Sequence, residues 1–328
     1  MIFKIIETKK ANSFILGHTL KSKNYLIKKG KVLNKDDISL LIKNNINNIY
    51  VAIKEKGDCS ENFAAKTIAN HISTRDFYKP TVVNGRADIF SKKCGLFKIN
   101  KEKLLEINYK NEDIAICTLN NYSIVKRGQL VANVKILPYA IDKKKVAQIV
   151  KFKSYKDIFK VAKRTVNKVG LISTSNENLD IYKSKVFMNT NNRLKTFGLK
   201  VNVAKVCKHN HNDLNHLLKE MLKDAFEVIL IYGETSISDL NDVIPKSIVE
   251  SKGRIISSIL PTDPGNLLLL AKRGRTNIIG VPGCAKSIKR NGFDSILERV
   301  CYGGKLDKIE ISKLAVGGLY KYTIRKFE

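Results

Sequence analysis

Residues 226–304 decide the fold, and they read FEVILIYGETSISDLNDVIPKSIVESKGRIISSILPTDPGNLLLLAKRGRTNIIGVPGCAKSIKRNGFDSILERVCYGG. The apolar run 226–232 has the length and composition of one buried parallel strand. Gly233 and several hydroxyl-bearing residues follow, and then a helix that Asp239 or Asp242 can cap and that tolerates Pro245 in or near its first turn. A strand, a small-residue loop and a helix N-terminus in this order present free backbone N–H groups to an anion.

Two further glycine-bearing turns follow within this stretch. Residues 264–266 are Pro-Gly-Asn and precede a short apolar run, while residues 282–287 (PGCAKS) come directly after the apolar strand 277–281. One such turn is a weak signal, because most glycine-bearing turns are only turns. Three of them beside apolar strands predict a single crevice at the carboxyl ends of a parallel sheet.

The alternation of strands and helices continues upstream of residue 226. Residues 167–172 form an apolar run that ends in the hydroxyl-rich segment 173–177, and residues 183–197 have the character of a helix. Residues 199–206 are a second apolar run, followed by a helical stripe of leucines that is typical of a core-facing helix. This order predicts a three-layer α/β/α domain with a mostly parallel sheet over residues 167–304.

The rest of the chain has a different pattern. Residues 1–145 carry short apolar runs punctuated by glycine, which predicts a separate strand-rich N-terminal domain. Residues 146–166 are rich in lysine and are predicted to link the two domains. Residues 305–328 hold two short apolar runs separated by a double glycine and are predicted to form a β tail.

Three segments of the chain resemble the molybdopterin-binding domain of molybdenum-cofactor biosynthesis proteins. They are GETSISDLNDVIP at 233–245, PTDPGNLLLL at 261–270 and GVPGCAKSIKRNGFD at 280–294. The family includes molybdopterin adenylyltransferases and molybdenum insertases, and the similarity is greatest to a proteobacterial branch often fused to a nucleotidyltransferase. The resemblance is strong over residues 226–304 and weak over nearly all the rest, where residues 1–145 are similar to the insertases.

The resemblance implies where a ligand binds. Molybdopterin carries a planar reduced ring, a dithiolene and a terminal phosphate, so its site needs amide and hydroxyl donors and little bulk near the backbone. The residues that the resemblance implies for cofactor binding are Thr174, Ser175, Gly233, Thr235, Ser236, Ser238, Pro264, Gly265, Asn266, Pro282, Gly283 and Ser287. It also implies catalytic roles for Asp242, matched to a metal-linked aspartate that holds Mg²⁺, and for Glu177. Capping of a helix or turn also explains both carboxylates.

Two function classes remain open. The first is a factor of molybdenum-cofactor biosynthesis that performs Mg²⁺-dependent adenylyl transfer or molybdate insertion, with ATP or AMP and molybdate as further ligands. The alternative is a non-catalytic module that holds molybdopterin for a separate nucleotidyltransferase partner. Ser175 and Glu234 stand where relatives carry glycine, and the departure at Glu234 favours the alternative. A homo-oligomer is compatible with both hypotheses.

Composition and charge bear on whether the chain is a membrane, secreted or nucleic-acid-binding protein. With 43% hydrophobic residues among 328, the chain can form two cores. No apolar run approaches the roughly 18 residues that a membrane span requires, and the first ten residues lack a secretory pattern, so a cytoplasmic protein is expected. The 60 basic and 30 acidic residues give a net charge of +30. Because the basic residues are scattered, a lysine-rich surface or the capture of a phosphorylated ligand explains this charge better than nucleic-acid binding.

Cysteine and histidine give no strong metal signal. The six cysteines include no C-x-x-C pair, and they are expected to be reduced thiols. His209, His211 and His216 lack the spacing of a zinc site and are interpreted as solvated or helix-start residues.

Overall fold

The structure is a computed structural model, and it describes residues 1–177 and 180–321. The chain divides into two compact units, residues 1–161 and residues 162–328. Each unit has its own strands, helices and core. No helix in the described ranges is long and apolar enough to cross a membrane.

The N-terminal unit contains many short strands and four α-helices within residues 1–161. Its strands are β1 (Ile2–Glu7), β2 (Ile15–Leu16), β3 (Leu20–Ser22), β4 (Tyr25–Ile27), β5 (Asn48–Ile53), β6 (Asp58–Ser60), β7 (Thr81–Val83), β8 (Arg86–Phe90), β9 (Gly95–Ile99), β10 (Ile114–Thr118), β11 (Ile124–Val125), β12 (Leu130–Ile136), β13 (Ala140–Asp142) and β14 (Phe159–Ala162). Its helices are α1 (Lys35–Lys43), α2 (Glu61–Ile72), α3 (Lys101–Lys110) and α4 (Lys143–Lys151). The strands form several small sheets, of which the largest has the order β10-β12-β8-β7.

Helix α2 organises the core of this unit. The side chain of Ser60 caps its first turn by accepting a hydrogen bond from the N–H of Phe63. Ala64, Ala65, Ile68, Ala69 and Ile72 lie on one face of the helix and are buried in the same cluster as residues of β8 and β12. The small alanines let the helix lie close to the sheet.

The C-terminal unit is built on one six-stranded sheet. Its strands are β15 (Val169–Thr174), β16 (Val201–Cys207), β17 (Val228–Tyr232), β18 (Arg254–Ser257), β19 (Leu269–Arg273) and β20 (Thr276–Val281). Its helices are α5 (Lys185–Lys195), α6 (His211–Lys223), α7 (Val243–Glu250), α8 (Gly292–Cys301) and α9 (Lys308–Ser312). The strand order is β16-β15-β17-β20-β19-β18. The first four strands are parallel, while β19 is antiparallel to both of its neighbours, so the sheet is mixed.

Central strand β17 shows how the helices use the two faces of the sheet. Ile229 and Ile231 are fully buried in a cluster with residues of α6 and α7. Tyr232 points to the opposite face, because side chains alternate along a strand. Its hydroxyl group lies 2.8 Å from the hydroxyl of Thr190 on α5. Every residue of β17 is buried, which is typical of a parallel strand covered on both faces.

The structure differs from the sequence prediction in the sheet and at the domain boundary. The predicted mostly parallel sheet carries an antiparallel pair at one edge, β18 and β19. The segment 146–166, predicted as a linker, contributes most of α4 and all of β14. Val146 and Ile149 of α4 are buried in the N-terminal core, and the neighbouring lysines concealed this short apolar stripe.

The tail also differs from the prediction. Residues 308–312, expected to be β, form helix α9, because Asp307 caps its N–H groups and Ile311 is buried. Within the described part of the tail, Leu319 makes a single parallel β-bridge with Asp263. Residues 322–328 of the predicted β tail lie outside the described residues.

A candidate ligand-binding edge

The parallel strands of the C-terminal unit end together. Thr174, the last residue of β15, is in register with Cys207, the last residue of β16. Tyr232 of β17 is in register with Ser173 of β15 and with Val281 of β20. The turns after these strands therefore lie along one edge of the sheet, which we call the carboxyl edge.

The turn at residues 264–266 reaches the same edge by a different route. It precedes β19, whose first residue Leu269 pairs with Gly280 near the end of β20 in the antiparallel sense. Pro264 and Gly265 contact the start of α8, because the N–H of Gly292 donates to the carbonyl of Pro264 at 2.9 Å. This turn is therefore tied to a helix rather than free to contact a ligand.

His209 joins two of the predicted ligand-binding residues. Its Nδ1 lies 2.7 Å from the hydroxyl of Thr174, and its Nε2 lies 3.0 Å from the hydroxyl of Thr235. The interpretation of His209 as a solvated residue is therefore incomplete, because its ring bridges the first and third strand ends. The available signal was its position two residues after β16, since that strand ends at the same edge.

Glu234 adds a second link between the same turns. Its backbone N–H donates to the hydroxyl of Thr174 at 3.1 Å, and its carboxylate accepts from the N–H of Asn176 at 3.3 Å. The amide oxygen of Asn176 in turn accepts from the N–H of His209 at 3.2 Å. The residue that departs from the family's glycine therefore fixes one turn against another.

Asp242 is the N-cap of α7, as the capping interpretation predicts. Its Oδ1 accepts from the N–H of Val243 at 2.7 Å. Its Oδ2 accepts from the N–H of Ser238 at 3.1 Å and from its hydroxyl at 3.3 Å. The second candidate carboxylate, Glu177, is exposed on the turn after β15 and is followed by two residues outside the described ranges.

The turns at 233–238 and 282–287 lie side by side. A Cβ atom on Gly283 would lie 3.4 Å from the hydroxyl oxygen of Ser236, which is ordinary van der Waals contact. Gly283 is exposed, so the surface beside it is open. Gly233 is different, because a Cβ there would lie 2.5 Å from the carbonyl oxygen of Thr235, and only glycine fits.

Arg193 of α5 supports the turn at 282–287 and was missed by the sequence analysis. Its guanidinium group donates to Asp294 at 2.8 Å and to the carbonyl of Ala285 at 3.0 Å. It also donates to the carbonyls of Ser287 at 2.6 Å and Lys289 at 3.2 Å. These contacts order the turn through its carbonyl groups, while the N–H groups of Ala285 and Ser287 donate to carbonyls within the turn. A single arginine within a helix carries no sequence signal for such a role.

The predicted cofactor-binding residues divide by exposure. Those exposed at the carboxyl edge are Thr235, Ser236, Ser238, Asn266, Gly283 and Ser287. Those buried or partly buried are Thr174, Ser175, Gly233, Pro264, Gly265 and Pro282. The exposed residues other than Asn266, which belongs to the turn tied to α8, can contact a ligand directly, and the second group holds the turns in place.

Clustered metal ligands do not mark the carboxyl edge within the described residues. Across 1–177 and 180–321, no group of three or more His, Cys, Asp or Glu side chains has the arrangement of a metal site. Two open cavities, of about 480 and 800 Å³, lie in the N-terminal unit. The carboxyl edge is singled out instead by its convergent turns and exposed hydroxyl groups.

Comparison with known proteins gives no family by sequence. No family model matches the chain, and no curated protein matches it. Among solved structures, a molybdopterin biosynthesis MoeA protein from Pyrococcus horikoshii has 10% identity and a TM-score of 0.31, over 92% of this chain and 75% of that one. The molybdopterin biosynthesis enzyme MoaB from Thermus thermophilus has 14% identity and a TM-score of 0.30, over 47% of this chain and 99% of that one. A molybdenum cofactor biosynthesis protein from Pyrococcus furiosus has 11% identity and a TM-score of 0.26, over 93% of this chain and 66% of that one. TM-scores of 0.26–0.31 carry no argument about this chain, so its function must be argued from its own residues.

Proposed function

We propose that the C-terminal unit binds molybdopterin, or its adenylylated form, at the carboxyl edge and acts in molybdenum cofactor biosynthesis. One observation carries the proposal. The three segments that resemble molybdopterin-binding domains, at 233–245, 261–270 and 280–294, are far apart in the chain, yet their turns meet at one edge of one sheet. A resemblance by chance would not be expected to select turns that are neighbours in space.

The chemistry of this edge suits a phosphorylated pterin. Thr235 and Ser236 expose hydroxyl groups, and Gly283 leaves the backbone beside them uncovered. Hydroxyl and backbone N–H groups can hold a phosphate, and a glycine surface lets a planar ring approach closely.

The charge beside the turn at 282–287 is also favourable. Lys286 and Lys289 are exposed, and neither forms an ion pair within the described ranges. Arg290 is instead neutralised by Glu298, whose carboxylate lies 2.8 Å from its guanidinium group. Two unpaired cations near the exposed turn raise the local positive potential and favour an anionic ligand.

Mg²⁺ is compatible with Asp242 but would compete with the helix cap. A carboxylate has about four acceptor positions, and three of those on Asp242 already accept hydrogen bonds. Mg²⁺ is often held by one or two carboxylates together with ligand phosphates, so the remaining position suffices for one protein contact. A Mg²⁺ ion there would neutralise charge on bound phosphates, which adenylyl transfer or molybdate insertion from an adenylylated ligand would require.

The hydrogen bonds of Asp242 and Glu234 favour the second candidate function, a carrier that holds molybdopterin for a separate nucleotidyltransferase. Asp242 is fully explained as the cap of α7, and Glu234, in place of a glycine, is used to link two turns. These roles require no reaction at the carboxyl edge. Turnover of molybdopterin with ATP and Mg²⁺ distinguishes the enzyme from the carrier.

Pterin binding tests the proposal itself. The full chain is purified from cells that synthesise molybdopterin, and bound pterin is measured by fluorescence after oxidation. We expect one pterin per chain in the native protein and little in Gly283→Leu, since the new side chain covers the open turn. Gly57→Leu is the matched control, because Gly57 is also exposed and a Cβ there meets nothing closer than 3.7 Å. Equal pterin in native protein and Gly283→Leu would reject the carboxyl edge as the site.

A further inference from the structure

The N-terminal unit contains a cleft that the proposed function does not use. Its volume is about 800 Å³, and it lies between the end of α2 and the segment that leads into β14. Its lining includes His71 and Arg75 from the end of α2 and the residues after it, and Lys156, Asp157 and Lys160 from the segment that enters β14. We call it the Arg75 cleft. Clefts of roughly 300–1,000 Å³ hold small molecules in other proteins.

Three cations converge on the Arg75 cleft. Arg75, Lys156 and Lys160 are exposed, and none of them forms an ion pair within residues 1–177 and 180–321. Unpaired cations along one concave surface concentrate positive potential there. An arginine among them adds a planar fork that can bind two oxygens of a phosphate.

The acidic residues of the cleft oppose this charge only in part. Asp76 accepts from the Lys93 ammonium group at 2.7 Å and from the N–H of Val161 at 2.9 Å. Burial alone would raise the pKa of Asp76, but these hydrogen bonds outweigh it and hold the pKa below its usual value. Asp76 is therefore neutralised by a lysine outside the cleft lining, and Asp157 is the acidic residue that still opposes the three cations.

The positive charge of the cleft is not a simple consequence of the chain's net charge of +30. The other large cavity of the same unit, of about 480 Å³, has the opposite bias. The acidic residues that line that cavity are Glu55, Asp58, Asp113 and Asp142, against Lys144, Lys145 and the amino group of Met1. Basic residues are therefore concentrated in one cleft and outnumbered in the other.

We propose that the Arg75 cleft binds a small molecule that carries at least two phosphate groups, with Arg75, Lys156 and Lys160 as its phosphate contacts. The volume of about 800 Å³ lies in the range that holds a ligand of nucleotide size. The proposal is independent of pterin binding, because all of the residues involved lie in the N-terminal unit.

Titration calorimetry of the full chain with inorganic tripolyphosphate tests the proposal, and ATP in a second titration tests whether a base adds affinity. We expect saturable binding of one tripolyphosphate per cleft. Arg75→Gln and Lys160→Gln should each weaken it roughly threefold to fivefold, the effect of losing one exposed charge contact. Lys23→Gln, which removes the same charge from an exposed site outside the cleft, should leave it unchanged.

Asp157→Asn provides a test of opposite sign. Asp157 has φ of +57°, and asparagine is one of the few residues that adopt this conformation readily, so the backbone should be preserved. Removing its charge should strengthen tripolyphosphate binding by a similar factor, about threefold to fivefold. A variant that merely unfolds cannot produce tighter binding.

Three results of the tripolyphosphate titrations would overturn the proposal. They are no saturable binding, equal weakening by Lys23→Gln and Lys160→Gln, and no change in Asp157→Asn. The chain could also bind single-stranded RNA more tightly than tripolyphosphate and lose that binding in the same variants. This result would identify a nucleic-acid surface and reject the small-molecule ligand.

Discussion

Two glycine-bearing turns, at 264–266 and 282–287, look alike in the sequence and differ in the structure. Gly265 is buried, has φ of +122° and packs against the start of α8. Gly283 is exposed, and a Cβ added there would make only an ordinary contact with Ser236. The first turn uses its glycine for packing, and the second leaves a glycine surface uncovered. A proline–glycine pair therefore predicts where a turn lies but not whether a ligand can reach it.

The largest expected effect comes from removing the support of the exposed turn. Arg193→Met removes an ion pair to Asp294 and hydrogen bonds to three carbonyl groups from a site where the arginine side chain is only 5% exposed. We expect the free energy of unfolding to fall by about 3 kcal/mol, because the buried partners lose their donors. Urea denaturation measures this change.

Lys195→Met on the same helix is the control for Arg193, since its side chain is exposed and it should cost little. If both variants are equally stable, Arg193 does not hold the turn at 282–287.

A smaller effect is expected at the packed glycine, and it compares the two turns directly. Gly265→Ala forces a side chain into a left-handed conformation, with its Cβ 2.7 Å from the nitrogen of Gly292. The strain should lower the free energy of unfolding by about 2 kcal/mol. Gly283→Ala should change it by less than about 0.5 kcal/mol, as is usual for exposed positions. Equal losses in the two variants, measured by urea denaturation, would remove the distinction between the turns.

The next effect concerns the histidine bridge. His209→Ala removes contacts to Thr174 and Thr235, and the net loss should be about 1 kcal/mol in the free energy of unfolding. Pterin binding should weaken as well, because Thr235 is no longer held in place. His216→Ala on the exposed face of α6 is the matched control. Unchanged pterin retention in His209→Ala would show that the bridge does not position the ligand contacts.

The smallest effect on stability is expected at Asp242. Asparagine caps helices about as well as aspartate, so Asp242→Asn should change the free energy of unfolding by less than about 0.5 kcal/mol. If the protein is an enzyme, the same variant should slow the Mg²⁺-dependent step more than it weakens pterin binding, since charge is lost without volume. If the protein is a carrier, it has no Mg²⁺-dependent step to slow, and pterin binding should not change. Loss of pterin binding itself would indicate that Asp242 contacts the ligand directly.

In the C-terminal unit, the sequence predicts where single strands and turns lie better than it predicts which strands pair and in which direction. The apolar run 226–232 contains strand β17, and the hydroxyl-rich turns lie where the topology rule for parallel strands places them. The antiparallel pair β18–β19 was not predicted, because strand direction depends on pairing between distant residues rather than on local pattern.

Supporting residues of the candidate site are harder to predict than exposed ones. Thr235 and Ser236 follow a strand end and could be singled out by residue type and position. His209 and Arg193 act through the neighbours that the fold brings to them, and their own sequence surroundings are ordinary. The lysine-rich segment 146–166 conceals α4 and β14 for a related reason, since long charged side chains mask a stripe of few apolar residues.

The most direct test of the account is the position of the phosphate of molybdopterin in a crystal structure of the complex. We predict that the phosphate lies at the carboxyl edge, within hydrogen-bond distance of the backbone N–H group of Gly283 or Cys284 and of the hydroxyl of Thr235 or Ser236. A phosphate bound against the turn at 264–266, or in the N-terminal unit, would contradict the claim that the exposed turn is the ligand site.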